Sequence, residues 1–157
     1  MEWLAWLEST TYATWVRQSR SIWAYPSILT AHTLGLAVLV GGNVALDLAL
    51  IGRLPGLPLA PLRGLFPVMW AGFWINALSG VSLFMADATT KATQAIFYVK
   101  MLCVALGLVN MTLIRRAVFG DETDVVIAPP NAKLLAGTSL LLWASALTAG
   151  RLMAYVR

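Results

Sequence analysis

Four ionisable side chains lie at similar depth near one end of the apolar segments of this sequence. His32 lies five residues inside the first segment, Lys100 five inside the third, and Arg151 five before the end of the fourth. Asp87 stands at the end of the second segment. At 1.5 Å per residue, His32, Lys100 and Arg151 lie roughly 7–8 Å below one surface. Ionisable residues inside membrane spans usually pair or face a cavity, so we predict that these four converge.

Two interpretations of this cluster are open. In the structural one, Asp87 pairs with Lys100 or Arg151, the long basic side chains extend toward the surface, and His32 bonds a carbonyl group. In the functional one, all four residues line a pocket for an anionic headgroup, a quinone or haem b. Lys100 and Arg151 then hold carboxylates or phosphates. His32 is the metal ligand, because imidazole is the commonest metal ligand near neutral pH.

A haem held by this chain needs a second axial ligand, because His32 is its one histidine. A second imidazole must come from another subunit, unless a methionine thioether serves instead. The methionines inside the apolar segments are Met69, Met85, Met101, Met111 and Met153. The sequence contains no recognisable nucleophile–base pair, phosphate-binding loop or pair of catalytic carboxylates. No catalytic residue is therefore assigned, and we do not expect an enzyme activity from the chain alone.

Helical periodicity groups the remaining polar and small residues into stripes, because a helix turns 100° per residue. His32, Asn43 and Asp47 share one face of the first segment, over roughly 22 Å of helix, which suits a path for an ion. The opposite face carries a stripe of small residues that predicts a second packed neighbour: Thr33, Ala37, Gly41, Ala45 and Ala49. Similar faces occur on the second segment (Gly72, Asn76, Gly80) and on the fourth (Ala146, Gly150, Ala154).

The composition explains why these residues must be placed by membrane helices. The chain has 157 residues, of which 59% are hydrophobic and 11% charged; a typical soluble domain carries about 25% charged residues. An ordinary soluble enzyme and a disordered protein are thereby excluded. The net charge of +4 comes from scattered basic residues with no cluster larger than a pair, so a nucleic-acid partner is also excluded.

Four windows are long and apolar enough to span a bilayer, which takes about 20 residues of helix. They are residues 27–51, 65–86, 95–114 and 134–156. Backbone groups in lipid must bond internally, so we predict an all-α fold, a four-transmembrane-helix bundle over residues 24–157. Residues 87–93 are expected to form a short polar loop, and Asn131 to cap the last helix.

Residues 1–23 are predicted to form an amphipathic interfacial helix, because tryptophans favour the headgroup level. Trp3, Trp6 and Trp15 alternate with polar residues there. A soluble arm that docks on a partner is the alternative. The segment lacks the basic start and continuous apolar stretch of a signal peptide.

The basic residues outside the spans favour termini in the periplasm of a bacterial inner membrane. Four spans place both termini on one side, with Arg17, Arg20, Lys91 and Arg157. The other side carries Arg53, Arg63, Arg115, Arg116 and Lys133. The side richer in basic residues is expected to be cytoplasmic.

Several short motifs resemble those of one protein family. They are Tyr25-Pro26, His32-Thr33-Leu34-Gly35, Gly41-Gly42, Asp47-Leu48, Gly52, Trp70-Ala71-Gly72-Phe73, Gly80, Asp87-Ala88, Lys100, Gly150-Arg151-Leu152 and Tyr155. The chain resembles a family of small uncharacterised bacterial four-helix integral membrane proteins, and this likeness implies topology without an activity. The first helix is also similar to copper-resistance D-like and b-type cytochrome membrane proteins, which implies haem ligation by His32.

The leading functional hypothesis is a membrane module that binds a haem- or quinone-like redox ligand near one membrane face, within an electron-transfer complex. The alternatives are a structural or accessory subunit without a cofactor and a small metal- or ion-handling transporter. The lipid bilayer is an expected partner, as is a second copy of the chain or a larger membrane complex.

Overall fold

The described part of the chain is built from helices. A computed structural model describes residues 2–120 and 128–155, and this part contains seven α-helices and no strand. The helices are α1 (Glu2–Ser9), α2 (Thr11–Gln18), α3 (Tyr25–Ile51), α4 (Leu65–Met85), α5 (Ala88–Thr93), α6 (Ala95–Phe119) and α7 (Ala132–Leu152). A short 3-10 turn, Ala60–Gly64, leads into α4. The prediction of an all-α fold is confirmed.

Four of these helices are long and apolar enough to cross a membrane. They are α3, α4 with its preceding turn, α6 and α7. The chain is therefore a multi-pass membrane protein whose spans overlap the predicted windows. Helices α3 and α7 each begin two residues before their windows, α4 ends one residue earlier, α6 continues five residues further, to Phe119, and α7 ends at Leu152. Residue 156, the last of the fourth predicted window, lies outside the described part.

Two local predictions were wrong. Residues 88–93 form α5 rather than a loop, and the Asp87 carboxylate lies 3.6 Å from the Lys91 ammonium one turn later. Such pairs four residues apart support a helical turn. Asn131 directly precedes α7, but its side chain makes no capping hydrogen bond. Its φ and ψ are already helical, whereas a capping residue usually adopts extended backbone.

The four long helices pack in the spatial order α4, α3, α7, α6. Helix α3 packs along both α4 and α7, and α7 packs along α6. Helices α4 and α6 meet at both ends through aromatic pairs. The Phe84 and Phe97 rings stack with centroids 5.3 Å apart, and the Phe66 and Phe119 rings meet edge to face at 5.5 Å. These end contacts close the bundle.

The closest approach in the bundle joins α3 to α4. A Cβ added to Gly35 would lie 2.7 Å from the Gly72 carbonyl oxygen and 2.7 Å from the Asn76 nitrogen. A Cβ added to Gly72 would lie 2.8 Å from the Gly35 carbonyl oxygen. The two backbones therefore touch, and the predicted face Gly72–Asn76–Gly80 is confirmed as a packing face against α3.

The small-residue stripe on α3 points away from the rest of this chain. Thr33, Ala37 and Gly41 are exposed, and a Cβ on Gly41 would meet nothing within 4 Å. The expectation that α3 packs on two neighbours is confirmed, since it lies between α4 and α7, but the stripe is not one of its two packed faces. The buried face is the one that carries Asn43 and Asp47. A role for the stripe as a seam between subunits stays a prediction.

The N-terminal segment folds as two short helices rather than one. Thr10 separates them, and its hydroxyl accepts a hydrogen bond from the Ala13 amide at the start of α2. The segment docks on this chain. Glu8 Oε1 accepts hydrogen bonds from both the amide and the hydroxyl of Thr89, each at 2.7 Å. The tyrosine hydroxyl of Tyr12 donates to Ser82 Oγ at 2.8 Å.

The tryptophans of this segment face outward. Trp3, Trp6, Trp15 and Trp23 are all exposed. Their outward direction is what an interfacial position requires, because indole rings favour the headgroup region.

We expect Glu8→Ala to release α1 and α2 from α5. The substitution removes two hydrogen bonds to a charged acceptor, each worth about 1.5–3 kcal/mol. It also removes the carboxylate that pairs with Arg17, because the Arg17 guanidinium lies 3.8 Å from the Glu8 carboxylate. Limited trypsin digestion should then cleave faster after Arg17 and Arg20. Glu2→Ala is the matched control, since Glu2 is exposed; equal cleavage rates in the two variants would contradict the docking contact.

Candidate functional site

A cavity of about 630 Å³ opens at the end of the bundle nearest the chain termini, and α3, α4, α6 and α7 all contribute to its lining. Its polar lining comes from α2, α3, α5, α6 and the link between α4 and α5: Arg17, Tyr25, His32, Asp87, Lys91 and Lys100. Its apolar lining includes Leu29, Leu83, Phe84, Phe97 and Met153. The size falls within the range of about 300–1,000 Å³ that is usual for small-molecule sites.

The His32 imidazole is fixed against α4. Its Nδ1 lies 3.0 Å from the Asn76 carbonyl oxygen and 3.2 Å from Ser79 Oγ. A carbonyl oxygen can only accept, so Nδ1 carries the proton and donates. The Asn76 side-chain amide donates back to the His32 carbonyl oxygen at 2.8 Å. Gly80 supplies the space, because a Cβ there would lie 3.1 Å from His32 Cε1.

The other ring nitrogen of His32 is available to a ligand. In the neutral ring with a proton on Nδ1, Nε2 holds a lone pair. Over residues 2–120 and 128–155, no side chain or backbone group hydrogen-bonds to Nε2. Histidines that bind metals usually donate their second N–H to a carbonyl or carboxylate, as His32 does here.

Lys100 lies across the cavity against the backbone of α7. A Cβ added to Gly150 would meet Lys100 Cε, Cδ and Nζ at 3.5–3.6 Å, so the glycine makes room for the lysine stem. The Lys100 side chain is partly buried. Among the described residues it has no carboxylate within 4 Å. No carboxylate of this part of the chain therefore competes with an oxygen-bearing ligand for the hydrogen bonds that the Lys100 amine can donate.

The pairing of Asp87 with Lys100 or Arg151, which belonged to the structural interpretation of the cluster, is wrong. Asp87 pairs with Lys91 on α5, the helix that was not anticipated. Sequence reasoning missed Lys91 and Arg17 as lining residues. Lys91 was placed in a loop, and nothing in the sequence showed that α2 folds back over the end of the bundle.

Arg151 is the predicted site residue that the structure does not bring into the cavity. Its guanidinium lies over the Tyr155 ring, 5.9 Å from the centroid, and its side chain is exposed. The neighbouring residue Gly150 lines the cavity instead. Adjacent residues on a helix point about 100° apart, so only one of the two can face Lys100. The structure thus brings together three of the four predicted residues: His32, Asp87 and Lys100.

The donor set limits which metal-containing groups the cavity fits. The described residues contain no cluster of three or more His, Cys, Asp or Glu side chains that could hold a metal ion. A haem is different, because its porphyrin supplies four nitrogens. If a haem bound here, His32 would hold its iron through Nε2, and the Met153 thioether in the same lining would be a candidate second ligand.

A second cavity, of about 380 Å³, lies at the opposite end of the bundle. Three arginines line it: Arg63, Arg115 and Arg116. Arg63 donates to the Phe119 carbonyl oxygen at 3.1 Å, and the Arg115 guanidinium lies 5.9 Å from the Phe66 ring centroid. These arginines belong to the side that the sequence predicts to be cytoplasmic.

Comparison of the chain with protein-family models, with curated proteins and with solved structures finds no match. The resemblance to small four-helix membrane proteins therefore stays a prediction. The chain is a four-span helical membrane protein with a cavity at each end of its bundle.

Proposed function

We propose that this protein holds the head of a quinone-like redox ligand in the cavity that His32 and Lys100 line, as part of an electron-transfer complex. One observation carries the proposal. His32 Nδ1 donates its proton to the Asn76 carbonyl oxygen, which leaves Nε2 for a ligand, and His32 and Lys100 line the same cavity.

The two polar groups suit the two oxygens of a quinone. The Lys100 ammonium donates to a carbonyl oxygen, and His32 Nε2 accepts from the hydroxyl of the reduced form. The aromatic and aliphatic lining, with the stacked pair Phe84 and Phe97, suits the ring and its apolar chain. A mostly apolar pocket with a few placed polar groups is the usual design of small-molecule sites.

Haem b is the second candidate, favoured by the lone pair on His32 Nε2. Bound there, haem would supply one-electron transfer through its iron. His32 would provide one axial nitrogen, and Lys91 and Lys100 could hold the propionate groups. A quinone-like ligand suits the chain better, because it needs no second axial ligand.

The cavity lies on the side of the termini, which we place at the periplasmic face of a bacterial inner membrane. The basic residues described on the opposite side outnumber those on the terminal side. Of the residues counted for this orientation, Arg157 lies outside the described part. The ligand would thus exchange with the outer leaflet, and a partner subunit would accept or supply electrons.

Binding of decylubiquinone tests the proposal. We expect Lys100→Met to weaken binding to the detergent-purified protein about 10- to 100-fold, because it removes a hydrogen bond from a charged donor. His32→Phe should weaken binding of the reduced form more than that of the oxidised form. Arg151→Gln is the matched control, since Arg151 has the same charge and similar depth but lies outside the cavity lining.

Two further measurements separate this proposal from its alternatives. Solvent extraction of the purified protein should yield a co-purifying quinone, and the dithionite-reduced absorbance spectrum should lack a haem band. A Soret band lost in His32→Phe would instead identify haem b. If Lys100→Met and the native protein bind decylubiquinone equally, and the protein yields neither quinone nor haem, the proposal is contradicted. The remaining alternative is then an accessory subunit that has no cofactor.

A further inference from the structure

A second polar group lies inside the bundle, remote from the His32 cavity. Asp47 on α3 lies beside Ser139 on α7, with Asn43 one turn away on α3 and Trp143 one turn away on α7. Asn43, Asp47 and Ser139 are 0% exposed and Trp143 is 1% exposed. Asp47 lies fifteen residues after His32, roughly 22 Å further along α3.

The polar atoms of this group lack partners. Asn43 Oδ1, both carboxylate oxygens of Asp47, Ser139 Oγ and Trp143 Nε1 have no hydrogen-bond partner outside this group within the described residues, and only the Ser139 hydroxyl lies close enough to the Asp47 carboxylate to interact with it. The Asn43 amide nitrogen is already used, since it donates to the Leu39 carbonyl oxygen at 2.8 Å. Because buried polar atoms are nearly always bonded in folded proteins, four oxygens left over in one place call for a ligand.

No charged side chain compensates Asp47. Over residues 2–120 and 128–155, no basic group lies within 4 Å of its carboxylate. Helix α4 carries no charged residue. Around this end, the basic side chains of Arg53 after α3, Arg115 and Arg116 on α6, and Lys133 on α7 are exposed. Arg63, in the turn before α4, is partly buried and donates to the Phe119 carbonyl oxygen. On the same α6 and α7, Lys100 and Arg151 lie toward the opposite end. An unpaired ionised carboxylate in such an interior costs several kcal/mol, so a positive ligand must neutralise it.

We propose that Asn43, Asp47 and Ser139 form an intramembrane site for one monovalent cation, either Na⁺ or a proton, between α3 and α7. The ligand atoms are the carboxylate, amide and hydroxyl oxygens, which hard cations prefer. Asp47 lies four residues before the end of α3, about 6 Å below that end, so the site is within reach of the opposite membrane face. This site is independent of the quinone proposal, because none of its residues lines the His32 cavity.

Thermal unfolding in detergent tests whether the bound cation is Na⁺. We expect the Tm of the native protein to rise by several degrees when NaCl replaces choline chloride at equal ionic strength, because a ligand stabilises the state that binds it. Asp47→Asn should abolish the rise. Ser139→Ala should shift it to higher sodium concentration. Thr148→Val on α7 is the control, since the Thr148 hydroxyl bonds only within its own helix.

Infrared difference spectroscopy tests whether the bound cation is a proton on Asp47. If the ligand is a proton, Tm should not respond to sodium. The native-minus-Asp47→Asn spectrum at neutral pH should then contain the C=O stretch of a protonated carboxyl group. Ser139→Ala should shift that band without unfolding the protein, which keeps the test valid should the Asp47 variant fold poorly. An ionised Asp47 together with a Tm that does not depend on sodium would overturn the proposal. Either a sodium-dependent Tm or the band of a protonated Asp47 supports it.

Discussion

Replacing Gly35 with alanine is expected to force α3 away from α4 and to destroy ligand binding in the His32 cavity. The added Cβ would lie 2.7 Å from two backbone atoms, the Gly72 carbonyl oxygen and the Asn76 nitrogen. Backbone atoms cannot rotate aside, so the helices must separate. We expect a loss of stability at the upper end of the about 1–3 kcal/mol typical of overpacked sites.

The functional effect of Gly35→Ala follows from the same contact. His32 is one helical turn before Gly35, and its imidazole is held by the Asn76 carbonyl oxygen. Separation of α3 from α4 therefore releases the ring. Decylubiquinone affinity should fall at least as far as in Lys100→Met, and thermal unfolding should start at lower temperature.

Gly41→Ala is the matched control for this prediction. Gly41 lies on the same helix, and a Cβ there would meet nothing within 4 Å. Gly72→Ala should reproduce the Gly35 effect from the other helix, and the double variant should cost less than the sum, because both Cβ atoms strain one contact. Equal Tm values for Gly35→Ala and Gly41→Ala would show that the two helices do not approach this closely.

The second large effect is expected at Trp143, the largest fully buried side chain. Trp143→Ala should cost about 3–5 kcal/mol, the usual cost of truncating a buried aromatic residue. The indole packs on Gly107 of α6, where an added Cβ would lie 3.1 Å from two ring carbons. Loss of the ring therefore removes the contact that α7 makes with Gly107, in the middle of α6. Reversible unfolding in mixed detergent micelles measures the loss.

A double-mutant cycle makes the Trp143 prediction specific. Gly107→Ala should destabilise the native protein, because its Cβ would crowd the indole. In the Trp143→Ala background the same change should be neutral or stabilising, because it fills part of the space. Trp143→Phe separates volume from the indole N–H, since phenylalanine keeps most of the ring contact and lacks the donor. Additive costs in the cycle would contradict this packing.

The positions of the four spans could be predicted from the sequence. A bilayer-spanning segment must satisfy every backbone group by itself, so its length and hydropathy show locally where it lies. The face that α4 presents to α3 was also predictable, because Gly72, Asn76 and Gly80 recur at helical spacing. The depth of a residue below the membrane surface likewise follows from its position along a helix. This reasoning correctly placed His32, Lys100 and Asp87 at one end of the bundle.

Which side chains meet was decided only by the tertiary structure, because rotation of each helix about its axis is set by its neighbours. That rotation places Gly150 rather than Arg151 opposite Lys100. The folding of α5 gives Asp87 a local partner in Lys91, so the carboxylate does not reach Lys100. Ser139 and Trp143 carried no signal in an apolar helix. Ser139 became part of a candidate site because α7 turns it toward Asp47, a contact between residues more than ninety positions apart in the chain.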